Sequence, residues 1–281
     1  MRTTILALNP RPCQPVDTLY AESADGTRVG CEVLGEGPPL LAIHGSTADR
    51  HRWAAVQDAL AQSFRVHLMD RRGRGLSSEE NPDDYELARE AEDIRALVEE
   101  IGGPVLVLSH SYGGASSLEA ATDCPGIERM LVYEPALATA DAPLNEAGAV
   151  AAIEASVAQG DRETTLTFFF TDILQLDDEA LEWVRGTPMW GHRLAAAHTL
   201  GREIRAANDY LPDRERLSGI RVPVRILLGT ATTPSLTRAA RAAHAAIPGS
   251  ELKELPGHGH AAMDVDPAMF VAEVRDWLLP A

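Results

Sequence analysis

Cysteine is scarce in this chain, long hydrophobic runs are missing, and positive charge is outweighed. The three cysteines, Cys13, Cys31 and Cys124, have no metal-ligand spacing. A sparse, odd set reads as reduced thiols of a cytoplasmic protein, with Cys124 packing at a helix end. No stretch approaches the eighteen apolar residues of a membrane span. Ile5 to Leu8, cut off by Asn9 and Pro10, is too short for the apolar core of a signal peptide. Lys and Arg total 25 against 42 Asp and Glu, a formal charge of −17. That balance argues against a nucleic-acid footprint and equally against an anionic membrane surface, and it does not identify a substrate. No low-complexity tract and no fixed-period repeat is present.

What is there is a large potential core: 281 residues, 45% hydrophobic and 24% charged. After a loose leader, Met1 to Pro15, two strand-like runs, Thr18 to Ser23 and Arg28 to Leu34, flank Asp25-Gly26, a strong hairpin signal. Short apolar strands follow at Leu40–Ile43, Arg65–Met69, Val105–Leu108 and Met130–Tyr133. Between them lie helical patterns at Asp49–Gln62, Tyr85–Ile101 and Tyr112–Asp123. From Ala136 to Ile220 only helical patterns and loops occur, holding Phe168-Phe169-Phe170, Trp183, Met189 and Trp190. Alternation resumes with a strand at Val222–Leu228, a helix at Ser235–Ala246, a strand at Glu251–Leu255 and a last helix, Pro267–Leu279, capped by Asp266. This order predicts a parallel α/β sheet with helices on both faces and an antiparallel edge. Residues 1–135 and 221–281 form the expected core domain, and 136–220 an all-helical cap over the carboxyl edge of the sheet.

Open parallel sheets bind ligands at that edge. Ser109-His110-Ser111-Tyr112-Gly113-Gly114 lies there, at a strand-to-helix junction. A nucleophile in so tight a turn needs small residues two places before and after it, and Ser109 and Gly113 fill those places. The helix beginning at Tyr112 directs N–H groups toward developing negative charge.

This hexapeptide resembles the nucleophile elbow of the α/β-hydrolase superfamily, with Ser109 in place of the usual first glycine. His44-Gly45-Ser46 is similar to the superfamily's oxyanion-hole loop, and Asp70-Arg71-Arg72-Gly73-Arg74-Gly75-Leu76-Ser77 to the loop after its fourth strand. Pro256-Gly257-His258-Gly259-His260 resembles its histidine loop. The resemblance implies an eight-stranded, mostly parallel sheet with a cap inserted after strand six. It implies Ser111 as nucleophile, His260 as base, and the Ser46 and Tyr112 N–H groups as oxyanion donors. His44 would brace its loop, Asp70 and the arginines would form a structural ion-pair network, and His258 would be a surface residue.

The acid departs from the usual pattern. Most members carry Asp after the seventh strand, yet Gly229 to Pro234 contains no carboxylate. Apart from Asp70, Glu134 is the only carboxylate at another strand's carboxyl end, a position that several haloalkane dehalogenases use for the acid. Pro135 is expected to hold Glu134 extended. A serine in the elbow disfavours dehalogenase or epoxide hydrolase chemistry, whose nucleophile is aspartate. It implies acyl transfer to water on an ester or lactone of a small, largely apolar substrate, with no metal and no cofactor. An amide, a thioester or a diketone carbon–carbon bond would use the same parts. Two other readings stay open, a lyase or cyclase on the same scaffold and a silent ligand-binding module. One or two of the cap residues Trp183, Met189, Trp190 and His192 are expected to line the pocket, the others to pack within the cap.

Overall fold

The computed structural model describes residues 17–79, 82–211 and 214–279. The leader and Cys13 lie outside the described residues. Eight strands form one sheet: β1 (Asp17–Glu22), β2 (Arg28–Leu34), β3 (Pro39–Ile43), β4 (Arg65–Asp70), β5 (Val105–His110), β6 (Ile127–Tyr133), β7 (Val224–Gly229) and β8 (Glu251–Leu255). Their spatial order is β1-β2-β4-β3-β5-β6-β7-β8. The pairs β1–β2 and β2–β4 are antiparallel, and all others run parallel. Gly26 turns the β1–β2 hairpin with φ 87°, a conformation open to glycine at no steric cost.

The period-two alternation of each strand divides the core into two layers. Leu41 and Ile43 of β3, Val105 and Val107 of β5, and Met130 and Val132 of β6 face one layer. There they meet α2 (Leu87–Ile101), α3 (Tyr112–Ala121) and α10 (Pro234–Ala246). Leu40 and Ala42, Leu106 and Leu108, and Leu131 and Tyr133 face the other. That layer packs on α1 (Gln57–Leu60), the short α11 (Ala262–Val265) and α12 (Pro267–Leu278). Asp266 caps α12 by accepting from the Met269 N–H at 3.1 Å, with Pro267 in its first turn.

The helix expected over Asp49–Gln62 is instead a 3-10 turn, Arg50–Trp53, and the single turn α1. Trp53, Val56 and Leu60 are still buried together. What breaks the helix is fixation of its first turn from outside: Asp49 caps it, Arg50 pairs with Asp70 at 2.7 Å, and Arg52 reaches Asp264 at 2.8 Å.

Between β6 and β7 the chain is helical: α4 (Ala147–Ala158), α5 (Arg162–Phe168), a π turn at Phe169–Ile173, α6 (Asp178–Arg185), α7 (Met189–Ala196), α8 (Leu200–Asp209) and α9 (Arg214–Leu217). This segment has an apolar cluster of its own, including Ile153, Leu166, Phe170, Leu200 and Ile204. Among the described residues, no helix is long and apolar enough to cross a membrane.

Buried charge joins the helical segment to the sheet. Arg71 forks onto Glu90 at 2.7 and 2.8 Å. Glu203 of α8 sits between Arg71, at 3.4 Å, and Arg74, which also donates to Thr199. Arg72 turns the other way, to Asp93 and Asp25. The network was expected, but Asp70 is not bonded to these arginines. It accepts from the Leu76 N–H and pairs with Arg50, because its own loop wraps around it: a Cβ on Gly75 would lie 2.0 Å from its oxygen. Removing one partner from a buried ion cluster leaves uncompensated charge. Glu203→Gln is therefore expected to lower unfolding free energy by about 3–5 kcal/mol, read from urea midpoints at constant slope.

Candidate active site

β5 ends in a turn that only small neighbours permit. Ser111 has φ 57° and ψ −121°, a left-handed conformation costing roughly 1–3 kcal/mol. A Cβ on Gly113 would meet the His44 carbonyl oxygen at 2.4 Å, and one on Gly45 would meet the Ser111 Cβ at 2.7 Å. Ser109 is tolerated because its buried hydroxyl accepts from Ser117 Oγ at 2.8 Å. The strained turn is tied on both sides, with the Ser111 N–H donating to Tyr133 and its carbonyl accepting from the Ala136 N–H, each at 3.0 Å. Among the described residues, neither the Ser46 nor the Tyr112 N–H meets a protein acceptor.

Glu134 is fully buried and all of its bonds point at the same place. One carboxylate oxygen accepts from the Gly229 N–H at 2.8 Å; the other accepts from Thr232 Oγ1 at 3.0 Å and from His260 Nδ1. The segment that lacks a carboxylate thus supplies donors to the carboxylate of the neighbouring strand. Glu134 is not extended as expected before Pro135 but left-handed, with φ 46°. Its N–H continues the β6–β7 ladder to Leu227, while the Ala136 N–H is drawn back to Ser111, and the chain must turn sharply between these ties.

Two side chains without a role in the sequence reading hold the His260 loop. Tyr133 donates its hydroxyl to the Gly259 carbonyl and accepts from the Ala262 N–H at 3.3 Å. His110 Nε2 donates to the His260 carbonyl at 3.0 Å, with the two rings 4.3 Å apart. Burial, and then the neighbouring His260, push the His110 pKa well down, so it stays neutral. Its place in the variable slot of the elbow was the one available signal. His44 braces its loop as expected: Nδ1 donates to the Gly45 carbonyl at 2.8 Å and Nε2 accepts from the Arg71 N–H at 3.3 Å. Burial keeps that ring neutral too. His258 is half-buried, and its backbone carbonyl accepts from the Ala231 N–H.

Ser111 and His260 line a cavity of about 210 Å³ together with Ser46, Thr232 and cap residues such as Phe169, Phe170 and Trp183. No hydrogen bond joins the two directly; such contacts are commonly loose in a resting site and tighten around substrate. A second, smaller pocket of about 30 Å³ is lined by Ser46, Ser111 and His260 as well, together with Tyr112, Leu144 and Ile204. Of the four cap candidates, one or two of which were expected at the pocket, Trp183 lines the larger cavity and Met189, Trp190 and His192 do not. Trp190 packs on Phe170 in the cap's own core and donates to Glu163 at 3.2 Å. Met189 opens the same helix, half-buried beside Trp190. His192 turns to the sheet side and bonds Asp49 at 2.8 Å. Sequence reading missed Phe169, Phe170 and Arg193, all of which line the cavity.

Asp49, His51 and His192 bring three ligand-type atoms within 4.8 Å of one another. Here both rings hydrogen-bond to the carboxylate and join the cap to the loop after β3. Burial alone would raise the Asp49 pKa, but the His51 bonds and charge hold it well below the usual carboxylate range. The same hydrogen bond raises that of His51.

The model of the alpha/beta hydrolase family matches residues 40–274, and the chain belongs to that family. The uncharacterized protein Rv2715 of Mycobacterium tuberculosis is 29% identical over 96% of this chain and 84% of its own. An alpha/beta hydrolase from Sphaerobacter thermophilus superposes with a TM-score of 0.77 at 29% identity, covering 90% of this chain and 99% of its own. N-formylmaleamate deformylase of Pseudomonas putida is 33% identical over a shorter stretch, 36% of this chain and 38% of its own.

The Asp49 cluster yields a pH dependence with a definite sign. A depressed carboxyl stabilises the fold above about pH 4 and loses that contribution on acidification. A raised imidazole stabilises it below about pH 6.5 and loses that contribution as pH climbs through the raised value. Asp49→Asn keeps the helix cap but removes the charge. Its melting temperature should fall furthest below wild type near pH 5–6.5, with the gap narrowing toward about pH 9. A gap independent of pH would rule out this linkage.

Proposed function

We propose that this protein is a serine hydrolase that cleaves an ester or lactone with a Ser111–His260–Glu134 triad. The observation that carries the reading is the buried Glu134–His260 pair opening onto the cavity that Ser111 lines, beside two uncommitted N–H groups. Membership of the alpha/beta hydrolase family supports hydrolysis. So do the resemblance to a deformylase over part of the chain and the mainly apolar walls of the cavity.

In this reading His260 Nε2 takes the Ser111 proton as Oγ attacks the substrate carbonyl. The carbonyl oxygen becomes an oxyanion held by the Ser46 and Tyr112 N–H groups, donors worth roughly 3 kcal/mol each when well placed. Collapse expels the alkoxide, which takes the proton from His260. Water, deprotonated by the same ring, then attacks the acyl-enzyme and releases the acid with Ser111 restored. Glu134 stays ionised throughout; it fixes Nδ1–H on the ring and stabilises the transient imidazolium. The Gly229 N–H and the Thr232 hydroxyl occupy its other lone pairs and hold the carboxylate in place.

A fluorophosphonate probe should label wild type and leave Ser111→Ala unlabelled, with p-nitrophenyl ester turnover falling by on the order of 10⁶-fold in that variant. Wild type that neither takes the label nor turns over any ester or lactone of a broad panel is not a serine hydrolase. Glu134→Gln should keep its melting cooperativity while kcat drops about 10⁴-fold. Near-normal kcat in that variant means another group orients His260.

A further inference from the structure

The cavity beside Ser111 contains a cation without a counter-ion. Arg193, on α7, reaches into it with a single hydrogen bond, from Nη1 to Thr47 Oγ1 at 2.8 Å. Its Nε is shielded from solvent and bonds to nothing, and the Phe170 ring lies 5.2 Å from the guanidinium carbon. The other guanidinium of the cavity, Arg52, is closed on Asp264 by two bonds from Nη1 of 2.9 and 2.8 Å and donates Nη2 to Met263 Sδ. No carboxylate lies within ion-pair distance of Arg193 among the described residues. Burial, and then Arg52, lower its pKa to about 10, which leaves it charged at neutral pH.

A partly buried guanidinium whose Nε is cut off from solvent is costly unless an anion answers it. Asp264 is already taken by Arg52, and Asp49 by two histidines. The chain as a whole carries −17, so its general field repels anions and any attraction must be local. A guanidinium with free donors in a fixed plane matches a carboxylate by a two-bond fork. We propose that Arg193 binds a carboxylate of the substrate, so that the ester or lactone cleaved at Ser111 carries a free acid group elsewhere in the molecule. This rests on the cavity being the acyl-transfer site, and it adds a charged end to the expected small, largely apolar substrate. The apolar walls, Phe169, Phe170 and Trp183 among them, take the carbon skeleton between the two ends.

The test compares two matched esters, p-nitrophenyl hemiglutarate and neutral p-nitrophenyl valerate. Wild type should favour the acid in kcat/KM by about 10- to 100-fold, the range of a charge-assisted hydrogen bond. The preference should vanish in Arg193→Met and survive in part in Arg193→Lys. Binding is read independently of turnover by calorimetry on Ser111→Ala protein. Glutarate should bind at least tenfold more tightly than glutaramide and than inorganic phosphate, and should lose that advantage when Arg193→Met is added. An equal preference in wild type and Arg193→Met, or glutarate binding no better than glutaramide or phosphate, overturns the proposal. Should Arg193→Met fail to fold, Arg193→Lys and the glutarate-to-glutaramide ratio of the Ser111→Ala protein still decide it. Selective glutarate binding without fluorophosphonate labelling of wild type would uphold the anion subsite and remove the hydrolase reading instead.

Discussion

One buried carboxylate holds the carboxyl edge of this sheet together. Glu134 leaves β6, accepts from the end of β7 through Gly229, from the following loop through Thr232, and from the loop after β8 through His260. A fully buried anion is tolerable only when its lone pairs are satisfied, and here three donors from separate segments satisfy them. The site is as rigid as that convergence. It also explains a glycine: a Cβ on Gly229 would come within 2.3 Å of the His258 carbonyl and 3.0 Å of the Glu134 oxygen. Glu134 could not be seated there beside any larger residue.

The same edge stores strain, and the strain is held by hydrogen bonds on either side of it. Ser111 and Glu134 both have positive φ, and they lie on adjacent strand ends joined by the Ser111–Tyr133 and Ala136–Ser111 bonds. Each turn supplies an anchor for the other. Tyr133 and His110, the residues just before the two strained positions, reach across to the histidine loop. Alternation along the strands makes this possible, since neighbours in sequence point to opposite faces.

Much of the fold was legible because it is written in local chemistry: the strands, the Asp25-Gly26 hairpin and the Asp266-Pro267 helix start read correctly within a residue or two, except that β6 begins at Ile127, three residues before the expected Met130. The elbow was legible because close packing demands small residues at fixed offsets. Glu134 stood out by position alone, as a carboxylate at a strand end facing a segment with none. The backbone of Glu134 did not, because two long-range hydrogen bonds overrode the local preference of a residue before proline. The broken helix after Asp49 has the same origin, in contacts to Asp70 and Asp264 that no window around it contains. In the cap, helical spacing showed which residues were apolar but not which of two apolar surroundings each would face. Trp190 went to the cap's own core and Trp183 to the cavity. Arg193 was passed over because an isolated arginine on a helix is ordinarily a solvated residue, and only its unpaired placement says otherwise.

The cap meets the sheet in two ways that differ physically. Glu203, between Arg71 and Arg74, is a buried attachment whose opening would strand charge in a dry interior. The α7 contacts are softer: His192 bonds Asp49 from a ring 40% exposed, and Arg193 holds Thr47 by one neutral acceptor. Both soft contacts fall on the Ser46–Asp49 loop, where Thr47 has φ 59°. From beneath, Arg71 binds the Gly45 carbonyl and meets His44 through its N–H. The loop bearing the Ser46 N–H is thus gripped by the rigid network below and by one cap helix above. A ligand that engages Arg193 acts on the same helix that steadies this loop, so occupation of the pocket and the shape of the Ser46–Asp49 loop are physically linked.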